Sequence, residues 1–132
     1  MSGISKKKEN TLIQSYKDLE VWKKGIALAK RAYQITRNFP KEEIYGLVSQ
    51  IRRSAVSIPS NIAEGRSRQH KNEFVQFLYI ALGSCSECET QIVLACELDY
   101  LEAEIKKELL EELSQIGKMI RGLINSLKVH VR

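Results

Sequence analysis

The chain has 132 residues, which is enough for one domain with a single hydrophobic core and not for two. With 43% hydrophobic and 28% charged residues it has the composition of a globular protein, and no apolar run approaches the roughly 20 residues that span a bilayer. A membrane-spanning protein is therefore excluded, and because no apolar core follows the basic N-terminus, we expect a cytoplasmic protein without a secretory signal.

The net charge of +5 is unevenly distributed along the chain. Residues 1–70 carry 14 Lys and Arg against 6 Asp and Glu, whereas residues 71–132 carry 7 against 10. A molecule polarised in this way has a basic side that favours polyanions. The alternative is an ordinary charged surface whose two halves meet in salt bridges, and the charge alone leaves both interpretations open.

The N-terminal half begins with a segment that lacks helical periodicity. Residues 1–15 contain Lys6-Lys7-Lys8, and we expect a flexible basic arm there, ahead of a helical domain at 16–132. The first helix is predicted from about Lys17 to Arg37. Its predicted buried stripe is Leu19, Trp22, Ile26, Ala29 and Tyr33. Its predicted basic patch, within an arc of roughly 120°, is Lys23, Lys24, Lys30 and Arg31. A second apolar set lies off the stripe and predicts a subunit contact, because a monomer would leave it exposed: Val21, Leu28 and Ile35.

The second helix follows a break at Asn38-Phe39-Pro40 and is predicted to run to about Glu64, with Gly65 in the left-handed conformation that ends helices. Pro59 lies inside this helix without interrupting its apolar phase. We therefore expect a bend that is compensated by the close packing of another helix. The predicted buried stripe is Ile44, Leu47, Val48, Ile51, Ala55, Ile58 and Ile62.

The arginines of this helix and of the segment after it have two interpretations. Either they are solvated side chains of a kinked core helix, or Arg52, Arg53, Arg66 and Arg68 contact phosphate. Arg52 flanks the apolar stripe, so it is expected to serve a contact with another helix or with another subunit. Arg53 points away from the apolar stripe and is the better phosphate ligand, whereas Glu64 is expected to pair with an arginine for a structural purpose. The residues of this helix predicted for a subunit contact are Tyr45, Arg52 and Val56.

Two further helices complete the pattern. The third begins after Asn72, a plausible N-cap, and its predicted buried stripe is Phe74, Leu78, Ala81, Cys85, Cys88, Ile92 and Ala95. Asp99-Tyr100-Leu101 makes the next turn, and the fourth helix is predicted from about Glu102 to Val129. Its predicted core line is Leu109, Leu113, Ile116, Ile120, Leu123 and Leu127. Amphipathic helices with short connections predict an all-α fold, an antiparallel up-down-up-down four-helix bundle.

No pattern in the chain favours catalysis or a metal. Cys85 and Cys88 form a C-x-x-C pair, but they lie on the apolar stripe of a long helix rather than at a helix start, which favours small core residues. Cys96 is the third cysteine, and His70 and His130 are far off in sequence, so four zinc ligands are not assembled. The tyrosines are too scattered for a base-stacking platform. We expect no cofactor, no metal and no enzymatic activity.

Several motifs together resemble a known family. They are Leu19-Glu20-Val21-Trp22, Phe39-Pro40, Gln50 to Arg53, Ser57 to Gly65, and Gly83-Ser84 followed by Glu87 and Glu89-Thr90-Gln91. From Tyr16 to Leu101 the chain resembles the four-helix-bundle proteins encoded in intervening sequences of bacterial large-subunit ribosomal RNA, a group related to the accessory variability determinants of diversity-generating retroelements. The resemblance implies a barrel-like homopentamer without catalytic activity and, in the retroelement branch, binding to nucleic acid and to a reverse transcriptase.

Residues and resemblance together predict a non-enzymatic homo-oligomer that binds structured RNA or an RNA–DNA intermediate through a composite basic surface. Binding through backbone charge would be salt-sensitive and weakly selective for sequence. The predicted nucleic-acid-binding residues are Lys23, Lys24, Lys30, Arg31, Arg53, Arg66 and Arg68. The alternative is a protein-interaction or assembly scaffold that does not bind nucleic acid directly.

Overall fold

Four α-helices account for most of the computed structural model, which describes residues 15–129. They are α1 (Glu20–Thr36), α2 (Leu47–Ser67), α3 (Lys71–Glu97) and α4 (Ala103–Val129), with short 3-10 helices at Tyr16–Asp18 and Lys41–Glu43. No strand occurs between residues 15 and 129. The predicted all-α, four-helix fold is therefore confirmed, whereas the predicted basic arm lies, except for Ser15, outside the described residues.

The helices share one hydrophobic core. α2 packs most extensively against α3, α3 packs on α4 and α1 packs on α2, whereas α1 and α4 touch over a smaller area. The side chains predicted for the core-facing side of α3 are all buried, and so are most of those predicted for α2 and α4. The largest side chains with no more than 2% exposure are Leu28, Ile51, Ile58, Ile62, Leu78, Ile92, Leu109, Leu113, Ile116 and Ile120.

The proline inside α2 is matched by a glycine on α1. Pro59 is buried, and a Cβ atom added to Gly25 would lie only 3.2 Å from the Pro59 Cβ atom. This is the close approach of a neighbouring helix that the sequence predicts around the proline. The absence of a side chain at Gly25 therefore allows α1 to pack directly against Pro59.

The buried face of α1 differs from the predicted one. Val21 and Leu28 are 4% and 2% exposed, whereas Ile26 and Tyr33 are each 44% exposed. The prediction rests on helical spacing, which both sets of apolar residues satisfy, but the tight approach of α2 favours the face on which Gly25 lies. The premise that Val21 and Leu28 are left exposed for a subunit contact is therefore wrong, since both belong to the core of the monomer. Ile35 is half-buried against the same core.

The predicted C-terminal role of Gly65 is also wrong. α2 continues through this residue to Ser67, and the left-handed backbone belongs to Gln69, with φ of 62°. Gly65 is buried where α2 meets α3, and an added Cβ atom would lie 2.6 Å from the Cβ atom of Phe77 and 3.1 Å from Cδ1 of Phe74. This glycine therefore permits helix packing rather than helix termination.

A single carboxylate links the start of α2 to the turn after α3. The Glu43 Oε1 atom accepts a hydrogen bond from the backbone N–H of Leu47 at 3.1 Å, which satisfies one free donor of the first turn of α2. Its Oε2 atom accepts a hydrogen bond from the hydroxyl of Tyr100 at 2.9 Å. The hydrogen bond to Glu43 raises the pKa of Tyr100. The α1–α2 and α3–α4 connections are thus joined side chain to side chain.

Polar side chains connect α2 to α3 along the helix pair. Ser54 donates to Oε1 of Gln91 at 2.7 Å, and the hydroxyls of Ser57 and Ser84 lie 2.9 Å apart. Asn61 donates to the Ser57 hydroxyl at 2.9 Å, and Ser84 donates to a backbone carbonyl of its own helix. Because each hydroxyl has one proton, Ser57 donates to Ser84, and the chain of bonds has a single direction.

We expect Ser54→Ala to lower the free energy of unfolding by about 1.5 kcal/mol, because the amide of Gln91, only 8% exposed, loses its partner inside the protein. Urea denaturation monitored by circular dichroism measures the change. Ser60→Ala on the exposed side of α2 serves as the matched control, with a change within about 0.5 kcal/mol. The double variant Ser54→Ala/Gln91→Leu should recover much of the loss, and no recovery would contradict the assigned hydrogen bond.

Candidate nucleic-acid interface

The fold separates the seven predicted nucleic-acid-binding cations into paired and unpaired groups. Arg31 reaches from α1 to α4, where it contacts Glu108 and lies 2.7 Å from the Glu112 carboxylate. The hydrogen bond to Glu108 is the main cause that raises the pKa of Arg31, and the bond to Glu112 adds to it. Two carboxylates thus neutralise this guanidinium, so it is not available as the phosphate ligand that the sequence predicts.

Arg68 and Lys23 also have acidic partners. Arg68 lies 3.0 Å from the Glu64 carboxylate and 3.6 Å from that of Glu73, with its guanidinium 5.2 Å from the ring centre of Phe77. The predicted pairing of Glu64 with an arginine is therefore confirmed. Lys23 lies 3.6 Å from Glu20 on an exposed face, where an ion pair is weak and leaves the lysine accessible.

The remaining four cations are unpaired within the described part of the chain. Lys24, Lys30 and Arg53 are exposed and Arg66 is half-buried, and none forms an ion pair or side-chain hydrogen bond with any residue between 15 and 128. An unpaired cation at a surface can take up an anion without first releasing an internal partner. These four are therefore the cations that the fold leaves available for phosphate.

Arg53 lies in a groove of about 550 Å³ that we call the α1–α2 groove. Its lining residues are Tyr33, Ile44, Tyr45, Val48, Ser49, Arg52, Arg53, Val56 and Ser57. Two arginines and no Asp or Glu occur in this lining. A groove of this composition is electropositive, and anions are favoured in it.

Arg52 is a fixed wall of the α1–α2 groove. Its guanidinium lies 4.4 Å from the ring centre of Tyr33, and its Nε atom donates to the Thr36 hydroxyl at 3.0 Å. Stacking and a hydrogen bond hold the side chain between α1 and α2. Arg52 therefore serves a contact between helices within the monomer, one of the two uses expected for it, and it adds a positive charge to the groove.

The α1–α2 groove also contains two tyrosines that sequence reasoning treats as unrelated. Tyr33 is 44% exposed, and Tyr45 is 94% exposed in the turn before α2. The sequence does contain a signal for their proximity: the two tyrosines lie on either side of the break at Asn38-Phe39-Pro40. A short connection returns the chain to the same end of the preceding helix, so residues on its two sides lie near each other. Aromatic rings and arginines therefore meet in one place.

A second cleft lies on the other side of α1, between α1 and α4. It has a volume of about 380 Å³, with Leu28 and Ile116 in its lining and Lys24, Lys30 and Arg31 as its cations. Glu112 is also part of the lining, so this cleft is less positive than the α1–α2 groove. Lys30 lies three residues before Tyr33 on α1, and the two openings therefore flank the same turn of that helix.

An apolar surface that we call the α3 stripe lies outside the core. Ile80, Leu94 and Leu98 are 51%, 48% and 45% exposed, and their spacing places them on one face of α3. Two of the residues predicted for a subunit contact, Tyr45 and Val56, are exposed in the α1–α2 groove rather than on α3, and their contact with another subunit stays a prediction. Leu94 and Leu98 lie one helical turn apart and Ile80 lies about 21 Å farther along the axis, and exposed apolar side chains on one helix face commonly mark a surface that another chain covers.

The three cysteines are free thiols, of which Cys85 and Cys88 are buried and Cys96 is half-buried. Cys85 and Cys88 lie in the core, and burial is the main cause that raises the pKa of Cys85 to about 12 and that of Cys88 to about 11. A nucleophilic or redox cysteine needs the opposite shift, because the thiolate is the reactive form. Within residues 15–129, no three His, Cys, Asp or Glu side chains are placed to hold a metal ion.

The helices and grooves define a four-helix, all-α protein with an electropositive, aromatic-lined surface. No helix within residues 15–129 has the length and apolar character to cross a membrane. The model of the 23S rRNA-intervening sequence protein family matches residues 17–122, and the chain belongs to this family.

One solved structure gives the same fold. It is a crystal structure of a protein with unknown function from the S23 ribosomal protein family of Bacteroides thetaiotaomicron VPI-5482, which is 26% identical to this chain. The alignment covers 80% of this chain and 95% of that one, with a TM-score of 0.74. None of the curated proteins compared with the chain matches it. The resemblance to the ribosomal RNA intervening-sequence proteins is thus confirmed, whereas the retroelement relationship stays a prediction.

Proposed function

We propose that this protein is a non-enzymatic nucleic-acid-binding protein that acts as a homo-oligomer. The observation that carries the proposal is the α1–α2 groove, which contains Arg52 and Arg53 and no carboxylate. Arg53 is the principal phosphate ligand, because it is exposed and has no partner among the described residues. Lys24 and Lys30 extend the basic surface along α1, and Arg66 adds a fourth cation at the end of α2.

The helices are proposed to form an antiparallel up-down-up-down bundle. Contacts between α2 and α3 support this arrangement, because Ser54 pairs with Gln91 and Ser57 with Ser84, in opposite order along the two helices. Contacts between α1 and α2 follow the same rule, with Gly25 near Pro59 and Thr36 near Arg52. Short turns between helices are the usual connections in such a bundle.

The α3 stripe is the surface proposed for self-association. Ile80, Leu94 and Leu98 together expose more apolar side chain than a solvated helix face requires, and a second copy would remove it from water. We predict a pentamer, and light scattering measures the mass. An oligomer repeats the α1–α2 groove, so a ligand that reaches several copies binds more tightly without any new contact.

We expect Arg53→Ala to weaken binding of a fluorescein-labelled structured RNA about tenfold at 0.1 M salt, since the loss of one phosphate contact removes one counterion from the binding equilibrium. The slope of log K against log salt should become shallower by about 1. Arg68→Ala is the matched control, because its guanidinium is already paired with Glu64 and Glu73. Fluorescence anisotropy over a salt series measures both variants.

The alternative function is an assembly or protein-interaction scaffold that does not contact nucleic acid. The α3 stripe is the observation that favours it, because an apolar surface suits a protein partner. A salt-independent response would overturn nucleic-acid binding and leave the scaffold, whereas equal binding by Arg53→Ala and the unsubstituted protein would show that the α1–α2 groove is not the binding surface. Docking of a reverse transcriptase, which the resemblance implies for one branch, stays a prediction under either function.

A further inference from the structure

We propose that the α1–α2 groove binds an unpaired nucleobase, which stacks on the ring of Tyr45 while Arg53 holds a neighbouring phosphate. The ligand class is therefore single-stranded RNA or DNA, or the loop of a folded RNA, rather than a continuous duplex. This inference rests on the proposed function and adds to it a requirement for free bases. It also replaces the expectation that backbone charge alone carries binding.

The ring of Tyr45 has no structural role in the described part of the chain. It is 94% exposed, and it forms no hydrogen bond and no ring contact with any residue between 15 and 128. The other four tyrosines differ: Tyr16 packs edge-on against Trp22, and Tyr33 is covered by Arg52. Tyr79 accepts a hydrogen bond from Lys128, and Tyr100 donates one to Glu43. The flat faces of the Tyr45 ring are therefore free to stack on a planar ligand.

The surroundings of Tyr45 fit a nucleotide in size and polarity. The groove volume of about 550 Å³ lies within the range of sites that hold small organic ligands. Ile44 and Val56 are apolar walls beside the ring. The hydroxyl of Ser49 can bond to a base edge or to a ribose hydroxyl, whereas that of Ser57 is already engaged with Asn61 and Ser84. Aromatic stacking next to arginine is the arrangement by which proteins bind single strands without sequence preference.

A second groove places the same arginine between two polar surfaces. A second opening, of about 590 Å³ between α2 and α3, is also lined by Arg53, Tyr45, Ser49 and Ser57, together with Gln50, Ser54, Gln91 and the carboxylate of Glu87. Arg53 therefore lies where the two openings meet, so a strand that stacks one base at Tyr45 can follow α2 with its backbone near the guanidinium. In a duplex both faces of each internal base are already stacked, and Tyr45 has no base to receive.

A protein partner is the rival occupant of the groove. Burying the unpaired guanidinium of Arg53 against another chain is costly unless that chain supplies an acidic group, whereas a nucleotide carries its phosphate next to its base. The charge of the groove, with two arginines and no carboxylate, therefore favours the nucleic acid. A second copy of this chain becomes one of the outcomes of the test.

The experiment measures binding of the full chain to three labelled probes of equal length: oligouridine, an abasic strand with the same phosphates, and a blunt RNA duplex. We expect Tyr45→Ala to weaken oligouridine binding about tenfold and to leave the abasic strand and the duplex unchanged. Tyr45→Phe keeps the ring and should bind as the unsubstituted protein does. Arg53→Ala should weaken the oligouridine and the abasic strand alike.

The outcomes distinguish the two proposals. If Tyr45→Ala changes no probe while Arg53→Ala weakens binding, the stacking inference is wrong and the proposed function stands. If no probe binds in a salt-dependent way, the proposed function fails as well. If Tyr45→Ala lowers the mass of the particle in light scattering, the groove is an interface between copies and the inference is overturned. Thermal unfolding should be unchanged in this variant, because the side chain is 94% exposed.

Discussion

Gly65→Ala should destabilise the protein by about 2 kcal/mol, although alanine is the better helix former by about 1 kcal/mol. The added Cβ atom would lie 2.6 Å from the Cβ atom of Phe77, far inside van der Waals contact. That atom is attached directly to the backbone of α3 and cannot turn aside as the end of a long side chain can. The helix pair must therefore separate, and the core contacts around Phe74 loosen with it.

The matched control is Gly122→Ala on α4. Nothing lies within 4 Å of the Cβ atom that this substitution adds, and the position is exposed. The free energy of unfolding should therefore rise by about 0.5–1 kcal/mol through helix propensity alone. Urea denaturation of the two variants should give changes of opposite sign. A stabilising effect of Gly65→Ala would mean that α2 and α3 are farther apart than described.

Alkaline pH should destabilise the protein through its buried thiols. Cys85 and Cys88, with pKa values of about 12 and about 11 in the folded state, keep their protons above pH 9, whereas the unfolded chain loses them near the ordinary value of 9.0. Between pH 9 and 11 the unfolded state therefore binds fewer protons than the folded state, and stability falls as pH rises. While both thiols are ionised only in the unfolded chain, the free energy of unfolding falls by roughly 3 kcal/mol per pH unit.

The double variant Cys85→Ala/Cys88→Ala isolates this effect. Tyr100, whose pKa is also raised, contributes to the alkaline loss of stability in both proteins and cancels in the comparison. We expect the double variant to be less stable at pH 7, because two core side chains are shortened, but to lose less stability between pH 9 and 11. Urea denaturation at half-unit pH intervals measures the two curves. Parallel curves would show that the thiols ionise without opening the core.

The sequence predicts the helices well because the apolar period survives every local irregularity. The apolar residues predicted for the core-facing side of α3, from Phe74 to Ala95, are all buried, and the two cysteines among them behave as small core residues. In α1 the same reasoning fails, because two sets of apolar residues have helical spacing and the spacing alone favours the one with Ile26 and Tyr33, whereas the approach of Pro59 requires the face with Gly25. Close packing between helices is a property of two segments together, and one segment does not reveal it.

The same distinction limits what the sequence says about the site. The pairing of Arg68 with Glu64 can be predicted, since four residues separate them on one helix. The neutralisation of Arg31 by Glu108 and Glu112 cannot, since those partners lie on a helix that only the fold brings near. Predicting cations from their arc on α1 therefore gives too large a basic patch. The same reasoning misses Tyr45, because only the fold shows that this residue lies in one groove with Arg53.

The carboxylate of Glu43 connects the turn beside the α1–α2 groove to the α3–α4 connection. Tyr45 follows Glu43 by two residues, so the hydrogen bond from Tyr100 fixes the base of the turn on which the exposed ring is carried. The turn that carries Tyr45 is therefore tethered to the α3–α4 connection by two side chains that do not line the groove. Under the proposed function, a substitution of Tyr100 would loosen this turn and weaken ligand binding without altering a groove residue.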